Sequence, residues 1–534
     1  MKISLAPLML LLAASTAVAC AAPTDGADDG SASGEEDLTS LTARARKLDF
    51  AGYVYVDEGA SDAEIIRTVR RQTQSAFGAL RTAKIGVNSR ELKDVDPATF
   101  LKTPVAVVDP ANPSAPRRMV KVAYTFTDSA LVPIPMARRS AISLALLGSN
   151  YSTQTARILP ECTDNDKEAK EFVSSIWYVF NPSVASCKPA MTAEQQKIDA
   201  DRRGLAEDQV PLSEVDRLYL PMVANLRATT ASRAIKYPEY DRLYSGGVEP
   251  GKLVVGMVSG MMADWAAGER HDTFEDGGYP MWFGGLREVF KARPGFKLVS
   301  AEPQVDALNY KVGTQKVAFA SFDDVIAFEL DSANPPGITY SNRNALRKVI
   351  ADTLVRHYLT FEVPVQVTMR GETKPVTIKL QSYFGAETDS TPHKRLIKTS
   401  DIFVYNGHSY IGYGPLDPSR FQASDFPPSY QVMNVNGCVS YNYYEKDYIP
   451  LKEGGTANLD LVSNGLESWV NESGEAMGRF VGAFIDGKQS SYKDILQAAQ
   501  FTYFGYEWGM DALRVVDGEL DNKYSPRRTP ITVQ

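Results

Sequence analysis

After its first twenty residues the chain has no run of about 18 uncharged apolar residues, so no membrane-crossing helix is expected beyond that point. Basic residues are not in excess. Lys and Arg total 57 against 65 Asp and Glu, a net charge of −8. That argues against a nucleic-acid binder, which usually shows a basic face. No repeat recurs at a fixed period, which argues against a solenoid. No phosphate-loop glycine pattern occurs. Cysteine and histidine are scarce, with four of each in 534 residues, so each position can be weighed singly.

What is present begins with an export signal. Lys2 precedes an uncharged run from Leu5 to Ala19, closed by small residues. Two cleavage readings stay open. Ala17-Val18-Ala19 suits an ordinary signal peptidase. The same residues followed by Cys20 suit a bacterial lipobox, in which Cys20 is lipidated and becomes the mature N-terminus. Residues 21–44 begin "AAPTDGADDGSASGEEDLTS", and this stretch of 21–40 carries six acidic residues and no basic ones. Such a segment buries too little apolar surface to offset its ordering entropy and is expected to be a tether. The expected location is the bacterial cell envelope by way of a lipid anchor, or secretion.

Export implies a compartment in which disulfides persist. Cys162 and Cys187 lie in loop-like sequence on either side of "FVSSIWYVF" and are the expected pair. Cys438 is then left over, either a reactive thiol or a packed inert one.

At 534 residues the chain is too long for one core. An α+β region is expected over 45–240, with a strand in "DFAGYVYVDEG", a capping box at Ser61–Glu64 opening a helix, and a half-buried strand in "MVKVAYTFT". The stretch 189–230 reads as charged and largely helical. Pro and Gly in "YPEYDRLYSGGVEPGK" suggest a boundary. Over 250–534 strands alternate with helices, which implies an α/β architecture with a mostly parallel sheet. The expected elements are strands at "KLVVGMVSG", 324–330, 401–405 and 430–435, helices at "MWFGGLREVFKA" and 342–358, a hairpin about Gly371, and helices over 475–515.

Two strand ends carry the chemistry. "DIFVYNGH" and "YQVMNVNGC" each run from an apolar stretch through Asn-Gly to a reactive residue, His408 and Cys438. In open α/β sheets sites form at the carboxyl ends of strands. Neighbouring strands lie about 4.8 Å apart, so an imidazole and a thiol there can meet. Imidazole can activate the thiol and later protonate a leaving amine. Backbone N–H groups at Cys438 and near Ser409 can serve a developing oxyanion. The aromatic run after Cys438, with Tyr441, Tyr443 and Tyr444, can line a substrate cleft or pack a helix on the sheet. His357 reads as a core histidine and His393 as a solvated helix start. "ERHDTFEDGG", with His271, Asp272, Glu275 and Asp276, matches no standard metal-ligand spacing and reads as a polar loop.

A strand ending in histidine, followed by a strand ending in a small residue and cysteine, resembles the caspase-like cysteine peptidases, the superfamily of gingipains, legumains and clostripain-like enzymes. The resemblance spans about 324–470, and the gap of 438 − 408 = 30 residues is nearer to the bacterial members. It implies that Cys438 is the nucleophile, His408 the general acid/base, and the backbone at Ser409, Gly437 and Cys438 the oxyanion hole. It also implies a peptide or protein substrate and no metal or organic cofactor. It places the opening strand, helix and strand at 324–330, 342–358 and 376–384. Ser409 departs from the glycine that usually follows the family's histidine. The alternative is a non-catalytic surface lipoprotein that uses such a fold for binding or envelope structure.

Overall fold

The computed structural model describes residues 38–164, 166–229, 234–262, 273–331, 334–385, 389–468, 473–503, 506–508 and 512–534. Cys20, the export signal and the first part of the tether lie outside them, as do His271 and Asp272. The tether expected as far as 44 is already structured at Thr39–Ser40, which pair with Val515 and Val516. No helix among the described residues is long and apolar enough to cross a membrane.

The chain is a mixed α/β protein built on two sheets. The N-terminal sheet has seven strands and curls into a half-barrel. Its spine is Ala43–Asp57 against Arg117–Pro133, antiparallel in unbroken register from Ala43↔Pro133 to Asp57↔Met119. Both strands alternate buried and exposed residues, as a sheet with one solvated face requires. The N-cap half of the expected capping box forms: Ser61 Oγ accepts from the Glu64 N–H at the start of the helix Asp62–Gln74. Only Cys187–Asp201 of the stretch read as helical is a long helix. Tyr219–Ala228 is a strand, its alternating Leu220, Ala224 and Leu226 packing inward.

The second sheet has ten strands. At its centre run β1 (Lys252–Ser259), β2 (Glu372–Phe384), β3 (Ile402–Asn406), β4 (Gln431–Asn436) and β5 (Leu459–Asn464), parallel and in the order β2-β1-β3-β4-β5. Antiparallel strands extend both edges, Arg514–Asp517 beside β5 and Tyr358–Met369 beside β2. The central strands are buried on both faces, so they read as continuous apolar runs. Ile402 and Val404 face a core shared with the helices Gly278–Ala292 and Ser473–Ile485. Phe403 and Tyr405 face a core that continues into the N-terminal sheet.

Three expectations are corrected. Residues 324–330 belong to the helix Phe322–Asp331, not a strand. Ser321 Oγ accepts from the Asp324 N–H while the Asp324 carboxylate accepts from Ser321, and Phe322, Val325, Ile326 and Glu329 are buried at helical spacing. The opening strand of the parallel run is instead β1. The C-terminal stretch is helical over Ser473–Ile485 and Tyr492–Ala498, then turns to strands at Phe501–Tyr503, Tyr506–Trp508 and Arg514–Asp517. His393 is fully buried in the first turn of Thr391–Lys398, its ring edge-on to Tyr405, and burial pulls its pKa down to about 4, so it is a neutral core residue.

Cys162 and Cys187 form the disulfide, 25 residues apart, on the N-terminal half. Closing a loop of that length in the unfolded chain stabilises by about 3 kcal/mol. Replacing both cysteines by alanine is expected to lower the unfolding free energy by about that amount in chemical denaturation; an unchanged midpoint contradicts the assignment.

Candidate functional site

The parallel register sets Asn406 opposite Asn436. His408 and Cys438 therefore each stand two residues past the ends of neighbouring strands. A Cβ on Gly407 would lie 2.4 Å from the Tyr405 hydroxyl, so only glycine lets Tyr405 fold over the turn and donate to the His408 carbonyl at 2.8 Å. Gly437 fits against Gly407 and Ser409: its Cβ would meet the Gly407 oxygen at 3.2 Å and Ser409 Cβ at 3.4 Å. The two loops thus press together directly above the strands.

A buried amide ladder holds these ends. The Asn436 NH2 group donates to Asn406 Oδ1 at 2.8 Å, and the Asn464 NH2 group donates to Asn436 Oδ1 at 3.0 Å and to the Gly437 carbonyl at 3.2 Å. Arg514, from the antiparallel strand beside β5, donates to Asn464 Oδ1 and to Asn436 Oδ1, each at 3.0 Å. All four side chains are buried. One guanidinium therefore orients the carboxamides at the ends of three adjacent strands. In the sequence Asn406 and Asn436 stand only as the Asn of two Asn-Gly steps that end apolar runs. Their shared Asn-Gly context was the available signal, but the register that makes them partners was not in it.

Backbone strain gathers at the same turns. Val439, directly after Cys438, has φ +53°, and Tyr410 and Ile411 have φ +51° and +53°. Left-handed geometry is costly for a β-branched residue and persists only where the surroundings enforce it. Val439 caps the helix Ser440–Tyr448, where Ser440 Oγ donates to the Val435 carbonyl and accepts from the Asn464 N–H, both at 2.8 Å. The N-terminal half clasps this helix. Asn442 accepts from the Glu91 N–H at 3.0 Å and donates to the Val87 and Ser89 carbonyls.

Cys438 is a free thiol, partly exposed, donating weakly to the Ser468 carbonyl at 3.7 Å. Burial of its surroundings, the Glu467 carboxylate next, pushes the thiol up to about 11. Glu467 is itself held by Arg81, which stacks on Tyr178 at 4.5 Å and also pairs with Glu168 at 2.9 Å. The His408 ring lies edge-on to Tyr410 at 5.6 Å. Among the described residues, no protein group accepts from the N–H of Ser409 or Cys438. Of the two roles open to Tyr441, Tyr443 and Tyr444, substrate cleft candidates or helix packing, their burial fits packing: they are about 1% exposed and pack their helix against the sheet and the N-terminal half. An open cavity of about 560 Å³ lies beside the histidine loop, lined by Tyr410, Ile411 and Tyr413 of that loop and by Trp177 of the N-terminal half. Asp276 caps the turn after β1, accepting from the Met262 and Gly278 N–H groups, and among the described residues no cluster suits a metal ion. His357 lies just past the helix Tyr340–Leu354, half-buried, its Nδ1 2.8 Å from the Val355 carbonyl.

Comparison with protein-family models, with curated proteins and with solved structures finds no match to this chain.

Two outcomes test this geometry. Asn436→Leu strips Arg514 and Asn464 of a shared acceptor and is expected to cost on the order of 2–4 kcal/mol in urea unfolding; a loss below about 0.5 kcal/mol contradicts the ladder's role. Glu467→Gln removes the negative charge nearest the thiol, so the pH midpoint of Cys438 alkylation is expected to fall below that of the wild type. An unchanged or raised midpoint contradicts the electrostatic account.

Proposed function

We propose that this chain is an exported cysteine hydrolase acting on peptide bonds, of the caspase-like kind, with Cys438 as nucleophile and His408 as general acid/base. The observation that carries it is the pairing of β3 with β4 in the register Asn406↔Asn436. It sets the loop of one histidine beside the loop of the one free described thiol at the carboxyl ends of a β2-β1-β3-β4-β5 sheet, where open α/β sheets bind ligands. The strained turns after both residues support the reading.

With burial pushing it up to about 11, the thiol rests protonated at neutral pH. His408 takes the thiol proton as Sγ attacks the scissile carbonyl carbon, and returns it to the departing amine. The N–H groups of Ser409 and Cys438 serve the oxyanion. Water then hydrolyses the thioester with the imidazole again as base. The chemistry needs no metal or organic cofactor. The disulfide suits an extracytoplasmic compartment, and a lipid at Cys20 would tether the enzyme to the bacterial cell envelope.

One observation favours a second reading, a non-catalytic envelope protein that binds peptides. Burial and Glu467 raise the thiol, the opposite of the activation that many thiol enzymes use. Peptide-pool hydrolysis followed by mass spectrometry separates the two. Under the peptidase reading Cys438→Ala and His408→Ala each lower the rate more than 100-fold, about 2.7 kcal/mol, with thermal midpoints unchanged. If neither variant alters hydrolysis, the peptidase reading at this dyad falls; if the wild type cuts nothing and Cys438 alkylates only at alkaline pH, the binding reading stands.

A further inference from the structure

The chain as a whole is acidic, with a net charge of −8, yet one cavity on its N-terminal half carries only positive charge. This cavity of about 280 Å³ is lined by Arg67, Arg70, Arg71 and Gln74 of the helix Asp62–Gln74, and by Lys93 and Tyr151. No aspartate or glutamate lines it. Residues three and four apart on a helix are surface neighbours, so the three guanidinium groups share one side of it. Like charges at that spacing weaken a helix. The helix dipole favours a cation in the last turn, which accounts for Arg71. Arg67 lies mid-helix, beyond that effect.

Other arginines of this half meet acids. Arg81 pairs with Glu467 and Glu168, Arg90 with Asp417, and Arg157 with Glu161. Among the described residues none of the three cavity arginines pairs with a carboxylate. Two of them are steered by neutral acceptors instead. Arg70 Nε donates to the Lys93 carbonyl at 3.0 Å, and Arg71 Nη1 reaches the Ser149 carbonyl at 3.4 Å. A guanidinium carries five N–H donors, so most of theirs stay available. The Lys93 charge is already matched by Glu91. Gln74 is held from two sides: it accepts from the Tyr151 hydroxyl at 3.1 Å and donates to Glu91. The uncompensated charge in the cavity is therefore that of three arginines.

Such a site calls for a compact anion with more than one charge. A carboxylate offers two oxygens and one charge. A phosphate group offers three strong acceptor oxygens and up to two charges, and planar guanidinium forks bind it two N–H groups at a time. The cavity is smaller than the ~300 Å³ at which sites for drug-sized molecules begin, which suits a head group rather than a large ligand. We propose that Arg67, Arg70 and Arg71 form a binding site for a phosphate group, carried by a small soluble anion or by a lipid head group. The inference stands apart from the peptidase reading and holds whether or not Cys438 is a nucleophile.

The test uses full-length protein carrying Cys20→Ser, so that no lipid anchor forms. Inorganic pyrophosphate and citrate are titrated calorimetrically in physiological salt, and co-sedimentation is measured with vesicles of phosphatidylcholine alone or mixed with phosphatidylglycerol. Pyrophosphate is expected to bind about tenfold tighter than citrate. The double variant Arg67→Gln, Arg71→Gln is expected to weaken it about tenfold or more, and Arg67→Lys, Arg71→Lys to retain part of the binding. Removing like charges leaves the thermal midpoint of the double variant unchanged or raised, so a loss of binding does not reflect unfolding. Pyrophosphate binding that depends on the arginines supports a soluble ligand. Binding only to the phosphatidylglycerol vesicles, lost in the same variant, supports a lipid head group. No binding to either, binding untouched by the double variant, or citrate binding as tightly as pyrophosphate overturns the inference.

Discussion

The parallel pairing of Ile402–Asn406 with Gln431–Asn436 is the constraint on which the site depends. Strand side chains alternate, so a slip of one residue would turn every inward residue outward. Here both faces of both strands are buried, and their apolar residues commit to two different cores. A slip would also break the amide ladder and leave Arg514 buried without the acceptors it now has. Hydrophobic burial on two faces and one guanidinium at the strand ends together fix where His408 and Cys438 emerge. The strain at Tyr410, Ile411 and Val439 is tolerable because these turns are anchored on that rigid base.

The N-terminal half is woven into this arrangement. It contributes the Val87–Glu91 segment that clasps the helix after Cys438, the Arg81–Glu467 pair that sets the field at the thiol, and part of the lining of the cavity beside the histidine loop. Arg90 reaches into the histidine loop, donating to the Gly412 carbonyl at 2.8 Å and pairing with Asp417 at 3.3 Å. Thr39 and Ser40 add a strand to the far edge of the C-terminal sheet. Contacts this extensive make the two halves one mechanical body, so a change in either is felt at the turns that carry the candidate dyad.

The elements legible in the sequence were those whose pattern is local. The two runs ending in Asn-Gly, the hairpin about Gly371, the helix N-cap at Ser61 and the disulfide all rest on neighbours in sequence or on cysteine counting. What was missed rests on contacts between distant segments. Residues 324–330 were read as a strand because a short apolar run is ambiguous between strand and helix; the Ser321–Asp324 box was the signal that would have decided it. In sequence the tyrosines after Cys438 fit a cleft and a core equally, because aromatics suit both. Only the packing of their helix under the N-terminal half decides which. Neither the amide ladder nor the cavity beside the histidine loop is visible in the sequence, since each joins residues separated by large stretches of chain.

The central claim is that the loops bearing His408 and Cys438 meet above the paired strands. Disulfide trapping measures this directly. A bridge requires Cα atoms about 4.4–6.8 Å apart, close to the spacing of adjacent strands. In a His408→Cys protein, mild oxidation is predicted to join the new thiol to Cys438 rapidly and in good yield, seen as one cross-linked peptide by mass spectrometry. If both thiols remain open to alkylation after oxidation and no such peptide forms, the two loops do not meet and the account is contradicted.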